Sequence, residues 1–420
     1  NPIGLAQRMI PILPTSYGGL PTAGNIEANK FNPMAFNEKT GYSKSLTNRI
    51  QSSLTLSWDL PWVQGLNFRV KGSYDKDYTS SKSWREHFLM NSYNFTTHEY
   101  EVVETNYGEP KETVIRNAVN QTERATLQPA VSYDRIFNGV HDVSALLLYE
   151  QSSYKSENLG VNAQGFQLSS LHEIDRADDI LNGKKSGAVN GMSYKANSAG
   201  FVGRVNYAYD NRYIVELVAR YDGSMRLPKN KRWGFFPAAS VGWRISEEAF
   251  FSNLKNNFKV DDLKIRASAG LLGNDRIGDF KYRNVIKPNP PTVYIGDKEY
   301  ISVFNAGDAN LDLTWEKTAT YNIGFDLIIN RGIFGMEFDY FYKITKDILI
   351  GGGGIYPPSL GGRHPSTING GKVRNLGLEF TLSHRHKIGQ VDYYVSTNLG
   401  WSRNKILRMN ESFNVPEYQK

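Results

Sequence analysis

The pattern of apolar and polar positions is clearest between Asn197 and Ser246. Taken in steps of two, Phe201, Val205, Tyr207 and Tyr209 share one side of the chain, with Arg204 and Asn206 on the other. After Asp210-Asn211, Tyr213, Val215, Leu217, Ala219 and Tyr221 alternate with Arg212, Glu216 and Arg220. A third segment sets Trp233, Phe235, Ala239, Val241, Trp243 and Ile245 against Gly234, Ser240, Gly242, Arg244 and Ser246. Successive side chains of a strand point to opposite faces, so this period predicts hairpin-linked strands with one oily and one wet side. Ile214, Val218 and Phe236 interrupt the wet side. Segments of about ten to fourteen residues exceed the usual strand and match what a strand needs to cross a bilayer.

The same alternation recurs at 47–58, with Ile50, Leu54, Leu56 and Trp58 on one side, and at 66–77, with Leu66, Phe68 and Val70. It returns at 122–135, 141–152, 263–272, 316–329, 333–345, 372–384 and 391–403, for about twelve strands in all. Phe137-Asn-Gly139 reads as a tight hairpin turn. Residues from Ser246 to Leu254 read as a short helix with Ser246 as N-cap. Connections are alternately short (59–65, 136–140, 210–211, 330–332, 385–390 and a helical link at 247–262) and mostly long (78–121, 153–196, 273–315, 346–371, with 223–232 shorter). An outer-membrane barrel has short periplasmic turns and long extracellular loops, which produces this asymmetry; a soluble sandwich gives no reason for it. The fold class expected is therefore all-β: a transmembrane antiparallel β-barrel of about twelve strands over 47–403. Residues 1–46, rich in Pro, Gly and Asn, read as an extracellular loop region, and 404–420 as the start of the next loop.

Composition narrows the alternatives. No apolar run in the 420 residues approaches the roughly 18 needed for a transmembrane helix. A mean hydropathy of −0.47 is compatible with a barrel, because only alternate residues meet lipid. The 25 Tyr, 21 Phe, 7 Trp and 38 Gly suit strands with interfacial aromatic girdles. Absence of cysteine excludes disulfides and thiolate metal sites. A net charge of +7 from 49 basic and 42 acidic residues, with no dense basic block, argues against a nucleic-acid partner. The chain opens at Asn1 without Met or leader and stops just after a strand, as an internal piece of a longer exported protein would.

Several blocks resemble the barrel of the SusC/RagA family of TonB-dependent outer-membrane transporters. They are Asn32-Pro-Met-Ala35, Gly203-Arg-Val-Asn-Tyr-Ala-Tyr209, Arg220-Tyr-Asp-Gly-Ser224, the Trp233–Glu248 run, Leu263–Asn274 and Asn369–Glu379. The resemblance implies a barrel of about 22 strands filled by an N-terminal plug domain. It implies import of large nutrients with energy from a TonB complex, and a SusD-like surface lipoprotein closing the outer mouth. Oligosaccharides are the commonest cargo of such transporters, and peptides a known alternative. The plug domain, TonB box and closing C-terminal strands that the resemblance calls for are not in this sequence. From a different class, a soluble β-rich adhesin or binding module would also use many strands; detergent dependence separates the two.

No catalytic constellation emerges, so an enzyme is not expected. His384 and His386 flank a predicted periplasmic turn without other ligands at metal spacing. Glu173, Asp175, Asp178 and Asp179 cluster in a long loop where Ca²⁺ is conceivable, but their spacing is not that of an EF-hand; no other cofactor is expected. Arg204, Asn206, Glu216, Arg220, Arg244, Lys264, Arg266, Glu337, Asp339 and Glu379 fall on the wet side and are expected to face the lumen. For cargo, aromatic platforms suit the apolar ring faces of sugars, which selects the loop residues Trp84, Tyr93, Tyr100, Tyr107, Phe166, Tyr294, Tyr300 and Tyr356. Trp58, Trp62, Tyr340, Tyr342 and Trp401 are expected in the lipid-facing aromatic girdle.

Overall fold

The structure, a computed structural model, describes residues 13–26, 29–86, 88–104, 113–166, 170–177, 189–276, 278, 280–296, 298–352, 356, 364–365 and 367–409. Twelve strands form one sheet: β1 (Gly41–Asp59), β2 (Leu66–Arg85), β3 (Val114–Phe137), β4 (His141–Gln164), β5 (Val189–Tyr209) and β6 (Tyr213–Ser224) are followed by β7 (Trp233–Arg244), β8 (Val260–Asn274), β9 (Glu316–Ile329), β10 (Phe334–Gly351), β11 (Thr367–Ile388) and β12 (Val391–Arg408). Each is hydrogen-bonded to its neighbours in sequence order, an up-and-down antiparallel arrangement. The connections β1–β2, β3–β4, β5–β6, β7–β8, β9–β10 and β11–β12 therefore lie at one end of the strands, and apart from the helical β7–β8 link at 245–259 they are short. The other end carries the long connections, with 225–232 between β6 and β7 the one modest case.

Turn chemistry accounts for the tight end. Asn138 and Gly139 both have positive φ (50° and 74°), as do Asp210 and Asn211 (48° and 54°). Paired left-handed residues are what a type I′ hairpin turn needs, and its twist matches that of the strands. The β7–β8 link departs from expectation. It holds 3₁₀ turns at Ile245–Glu247 and Ala249–Phe251 before a helix at Ser252–Phe258. Ser246 is buried and donates to Asp262 Oδ1 at 2.8 Å, so it anchors the link to β8 instead of capping a helix.

Strand ends also depart from the alternation. β3 and β4 each run 24 residues, about twice the length that the apolar period marks. In β3 both faces of the stretch Arg116–Glu123 are polar or small apart from Val119, so backbone pairing continues where periodicity falls silent. The first barrel strand begins at Gly41, not near 47, and the last runs to Arg408, past 403. The first 46 residues are not merely a loop. They carry short strands at Ser16–Tyr17, Leu20–Ile26 and Asn29–Phe31, then a helix at Pro33–Glu38. Asn32 caps that helix, its Oδ1 accepting from the backbone N–H of Met34 (3.0 Å) and Ala35 (3.1 Å), with Pro33 at the position where a missing N–H costs nothing.

The chain divides into two compact units. The first comprises Asn1–Ser52, Ser73–Ala125 and Tyr154–Lys195. It includes a small sheet in which Leu20–Ile26 pairs in parallel with Leu89–Asn94, which in turn pairs with Glu99–Glu104. Ala23, Ala35, Phe88 and Met90 pack one core of this unit, and Trp84, Ile115 and Ala163 another. The second unit comprises Ser53–Gly72, Thr126–Ser153 and Ala196–Lys420. Its largest buried cluster is Leu227, Phe236, Tyr282, Leu313 and Trp315. Phe236, the apolar residue that breaks the wet side of β7, is 6% exposed there.

Candidate functional site

The sheet is exposed on its oily side. Along β7, Trp233, Phe235, Pro237, Ala239, Val241 and Trp243 are exposed, while the residues between them are buried or half-buried. Register extends that face across strands: Val205 pairs with Leu217, Leu217 with Ala239, Ala239 with Ala269, and Ala269 with Tyr321. In water such a face would be buried, since burial of apolar surface drives folding. Exposed over many strands, it is the face that lipid covers.

Two aromatic rows bound this band. Toward the short connections, Tyr209, Tyr213, Trp243, Ile265, Phe325 and Phe338 are successive cross-strand partners. Toward the long ones, Phe201, Tyr221 and Phe235 form a second row, with Trp233 stacked on Tyr221 at 4.9 Å. Eight strand steps separate Phe201 from Tyr209, roughly 20 Å along the normal for strands tilted by about 40°. That is close to the thickness of the apolar band of outer-membrane barrels. Of the five aromatics expected in the girdle, Trp58 and Trp62 lie at the β1–β2 turn, edge to face at 5.6 Å. Tyr340, Tyr342 and Trp401 sit inside the band instead: Tyr340 and Trp401 share a row one step in from Phe338, and Tyr342 lies two steps in. His384, against Phe334 at 4.5 Å, and His386 beside Tyr393 join the aromatic rim rather than a metal site.

The row toward the short connections is fastened by Glu248, which accepts from Tyr213 OH at 2.5 Å and Trp243 Nε1 at 3.0 Å, with Arg212 at 3.5 Å. These hold its carboxyl below the usual carboxylate range, the Tyr213 hydrogen bond first. A depressed carboxyl stabilises the fold above its unfolded-state value and loses that contribution as pH falls through the folded-state value. Trp243 fluorescence is therefore expected to hold constant down through the ordinary carboxylate range and to change only below it. Glu248→Gln should abolish that acid transition.

On the wet face the expected lumen residues divide into two groups. Arg266 makes a two-pronged bond to Asp339 (2.6 Å on each arm), and its Nε reaches Asp326 at 3.0 Å. Gly324 is what admits this: a Cβ there would lie 2.7 Å from Asp339 Oδ1 and 2.5 Å from the Phe338 carbonyl. Arg220 forks onto Asp222 at 2.9 and 3.0 Å, in space left open by Gly200. Arg204 and Glu216 are 4.0 Å apart, and Arg244 is 3.6 Å from Asp262. With its amide turned to suit its neighbours, Asn206 donates to Glu216 at 2.7 Å. Lys264, Glu337 and Glu379 have no polar partner among the described residues. Most of these side chains thus brace one another along or across neighbouring strands, and three on this face are not so braced.

The loop aromatics separate more sharply. Trp84 is fully buried, stacked on His172 at 4.0 Å and edge-on to Phe166 at 4.6 Å, with Nε1 donating to Glu86 at 2.7 Å. Trp84 thus holds a core together, and the half-buried Phe166 packs against that core; the expectation that Trp84 offers a ligand platform is corrected, because no face of it is free. Tyr93 and Tyr100 do come together, 5.1 Å apart, and Tyr100 is stacked face to face with Tyr17 at 3.9 Å and 17°. Tyr17 is 52% exposed, and Phe95 stands exposed at the edge of Tyr93. The exposed Glu99 and Glu101 and the half-buried Asn94 lie on the same small sheet, and Asn94 donates to Glu101 at 3.0 Å. The sequence did not single out Tyr17, because it stands in a stretch without periodicity. Tyr300 is exposed on the hairpin of Val285–Ile295 and Lys298–Gly307, and Tyr356 stacks on His364 at 5.3 Å. Tyr107 and the side chain of Tyr294 lie outside the described residues. Of the acidic loop cluster, Glu173 is bridged by Lys82 at 2.8 Å and Asp175 lies 3.6 Å from Arg176. Asp178 and Asp179 lie outside the described residues. Among the described residues no group of three or more His, Asp or Glu could hold a metal ion, and no helix is long and apolar enough to cross a membrane.

Comparison with known proteins agrees with this geometry. A family model described as TonB dependent receptor-like, beta-barrel, matches residues 13–418. TonB-dependent receptor SusC of Bacteroides thetaiotaomicron is 32% identical over 212 residues, 50% of this chain and 21% of that protein. TonB-dependent receptor P3 of Formosa agariphila is 28% identical over 278 residues, 66% of this chain and 26% of that one. Among solved structures, the RagAB peptide importer in its open-open state superposes with a TM-score of 0.77 at 19% identity, over 95% of this chain and 40% of that one. The chain thus spans about a quarter of the length of the curated relatives.

Proposed function

The chain belongs to the TonB-dependent receptor-like β-barrel family, in its SusC/RagA group and in the outer membrane, and from that premise we propose that the protein imports oligosaccharides. In this reading a SusD-like surface lipoprotein captures cargo with the extracellular loops, and a TonB complex supplies the energy. The barrel selects and conducts; it performs no reaction.

One observation supports sugar as cargo above others: the open aromatic cluster of Tyr17, Tyr93 and Tyr100, with carboxylates and an amide on the same small sheet. Sugars present flat C–H faces edged by hydroxyls, which such a surface matches. An oily peptide side chain would gain from the rings but leave the polar groups without partners.

The test uses the full-length transporter with its lipoprotein, titrated calorimetrically against a panel of oligosaccharides and, in parallel, against mixed oligopeptides. Binding of a glycan is expected, weakened by Tyr17→Ala or Tyr100→Ala by up to about tenfold, the worth of one stacking contact of about 1.4 kcal/mol. Binding of peptides alone, or of glycans with both variants unaffected, would overturn the sugar assignment.

A further inference from the structure

The lipid-facing side of the sheet is not smooth. Between the two aromatic rows the register lines up small residues: Gly203 opposite Ala219, Ala219 opposite Pro237, and Ala239 opposite Ala269. Large side chains stand on either side of this line, Phe201, Tyr221 and Phe235 above and Val205 and Leu217 below. The result is a hollow of about 900 Å³, walled further along by Leu147 and Tyr321. Its capacity is near the upper end of the roughly 300–1,000 Å³ typical of small-molecule pockets. A local break in the sheet deepens it. Pairing between β7 and β8 begins only at Ala238 opposite Gly270, so Trp233–Pro237 has no partner on β8. Proline, with no N–H to give to a ladder, sits at the point where the two strands part.

We propose that this hollow is a binding site for the acyl chains of an outer-membrane lipid. Its depth in the membrane comes from the register, since the small residues lie between the two aromatic rows that mark the interfaces. Its chemistry disfavours water: the outward side chains that line it are apolar except for the hydroxyls of Tyr133 and Tyr321, Arg204 turning its guanidinium to the wet face, and a trapped water needs two to four polar partners. The surface around it is continuous with the exposed oily face, so hydrocarbon is what meets it. A second copy of the barrel fits worse. A two-fold interface brings the same patch of each copy together, so hollow would face hollow and enclose a void that close-packed interiors do not tolerate. Flexible acyl chains fill such a space; a rigid sheet face does not.

The proposal rests on the membrane location of the oily face and not on any cargo. The full-length transporter is extracted from outer membranes, washed in detergent and examined by native mass spectrometry for retained phospholipid. The hollow is filled with Gly203→Leu together with Ala239→Leu. A Cβ at Gly203 would meet no atom within 4 Å, so the backbone has room for the added side chain and the barrel should fold as before, checked by heat-modifiable gel mobility. Val241→Leu, on the same face but outside the hollow, is the control. Wild type and control are expected to retain a phospholipid adduct through washing, and the filled variant to lose it. Equal retention by all three, retention by none, or cross-linking of two copies through cysteines at position 203 with no lipid retained would overturn the proposal. Cargo binding is not the readout, so this outcome and that of the glycan titration are independent.

Discussion

Leu217→Arg in the full-length protein is expected to destabilise the folded barrel by about 2–4 kcal/mol, the penalty for a cation near the middle of a bilayer. Leu217 is 53% exposed, stands midway between the two aromatic rims with Val215 between it and Tyr213 and Ala219 between it and Tyr221, and its neighbours Val205 and Ala239 offer no counter-charge. In a protein whose exposed residues met water, the same change would be nearly neutral. Ser240→Arg, one register position away on the opposite face, should cost far less, because that face is wet. Urea titration of the protein folded into lipid vesicles measures both. The contrast between them, more than either value, carries the information.

Phe236→Ala is expected to be the most costly change on the wet side, by about 3–5 kcal/mol for a buried phenyl group. Phe236 stands edge to face with Trp315 at 5.2 Å, and Leu227, Leu313 and Tyr282 complete the cluster. Two connections meet through it, the one following β6, which supplies Leu227, and the one between β8 and β9, which supplies Tyr282 from its first half and Leu313 and Trp315 from its end. Gly234 and Gly273 make the seat: a Cβ at Gly273 would lie 2.1 Å from the ring tip of Phe236, and one at Gly234 2.4 Å. Gly273→Val should therefore expel the ring and reproduce much of the loss. Limited proteolysis distinguishes this from general unfolding. Cleavage in residues 225–232 and 308–315 should accelerate while the strands stay protected, since they are held by their own ladders.

How much of this was legible follows from where periodicity carries information. Between the aromatic rims one face meets lipid and the other water, so residues such as those of β6 and β7 must alternate, and the strands could be read directly. Beyond the rims both faces are polar, and the extra turns of ladder in β3 and β4 left no trace in the pattern. Phe236 was visible as a violation, an apolar residue on the wet side, but its partners come from loops far away in sequence. Trp84 looked like a ligand platform because its sequence setting is polar; only tertiary packing shows that His172 and Phe166 cover it. Tyr17 gave no signal at all, because its stacking on Tyr100 is made by a small sheet whose strands are separated by about seventy residues of chain. Parity alone puts the wet-side charges on the face opposite the exposed oily residues. Which of them were braced, as Arg266 is by Asp326 and Asp339, depended on diagonal contacts that parity does not specify.

The central claim is that the oily side of the sheet is covered by lipid. The chain contains no cysteine, so single cysteines report cleanly on each face. Placed at Val205, Leu217 or Val241 in outer-membrane vesicles, they are predicted to react with a maleimide carried on a lipid chain and to resist a charged, water-soluble one; at Asn206, Glu216 or Ser240 the preference should reverse. Water-soluble labelling at the first three positions, with the lipid-borne reagent excluded, would contradict the account.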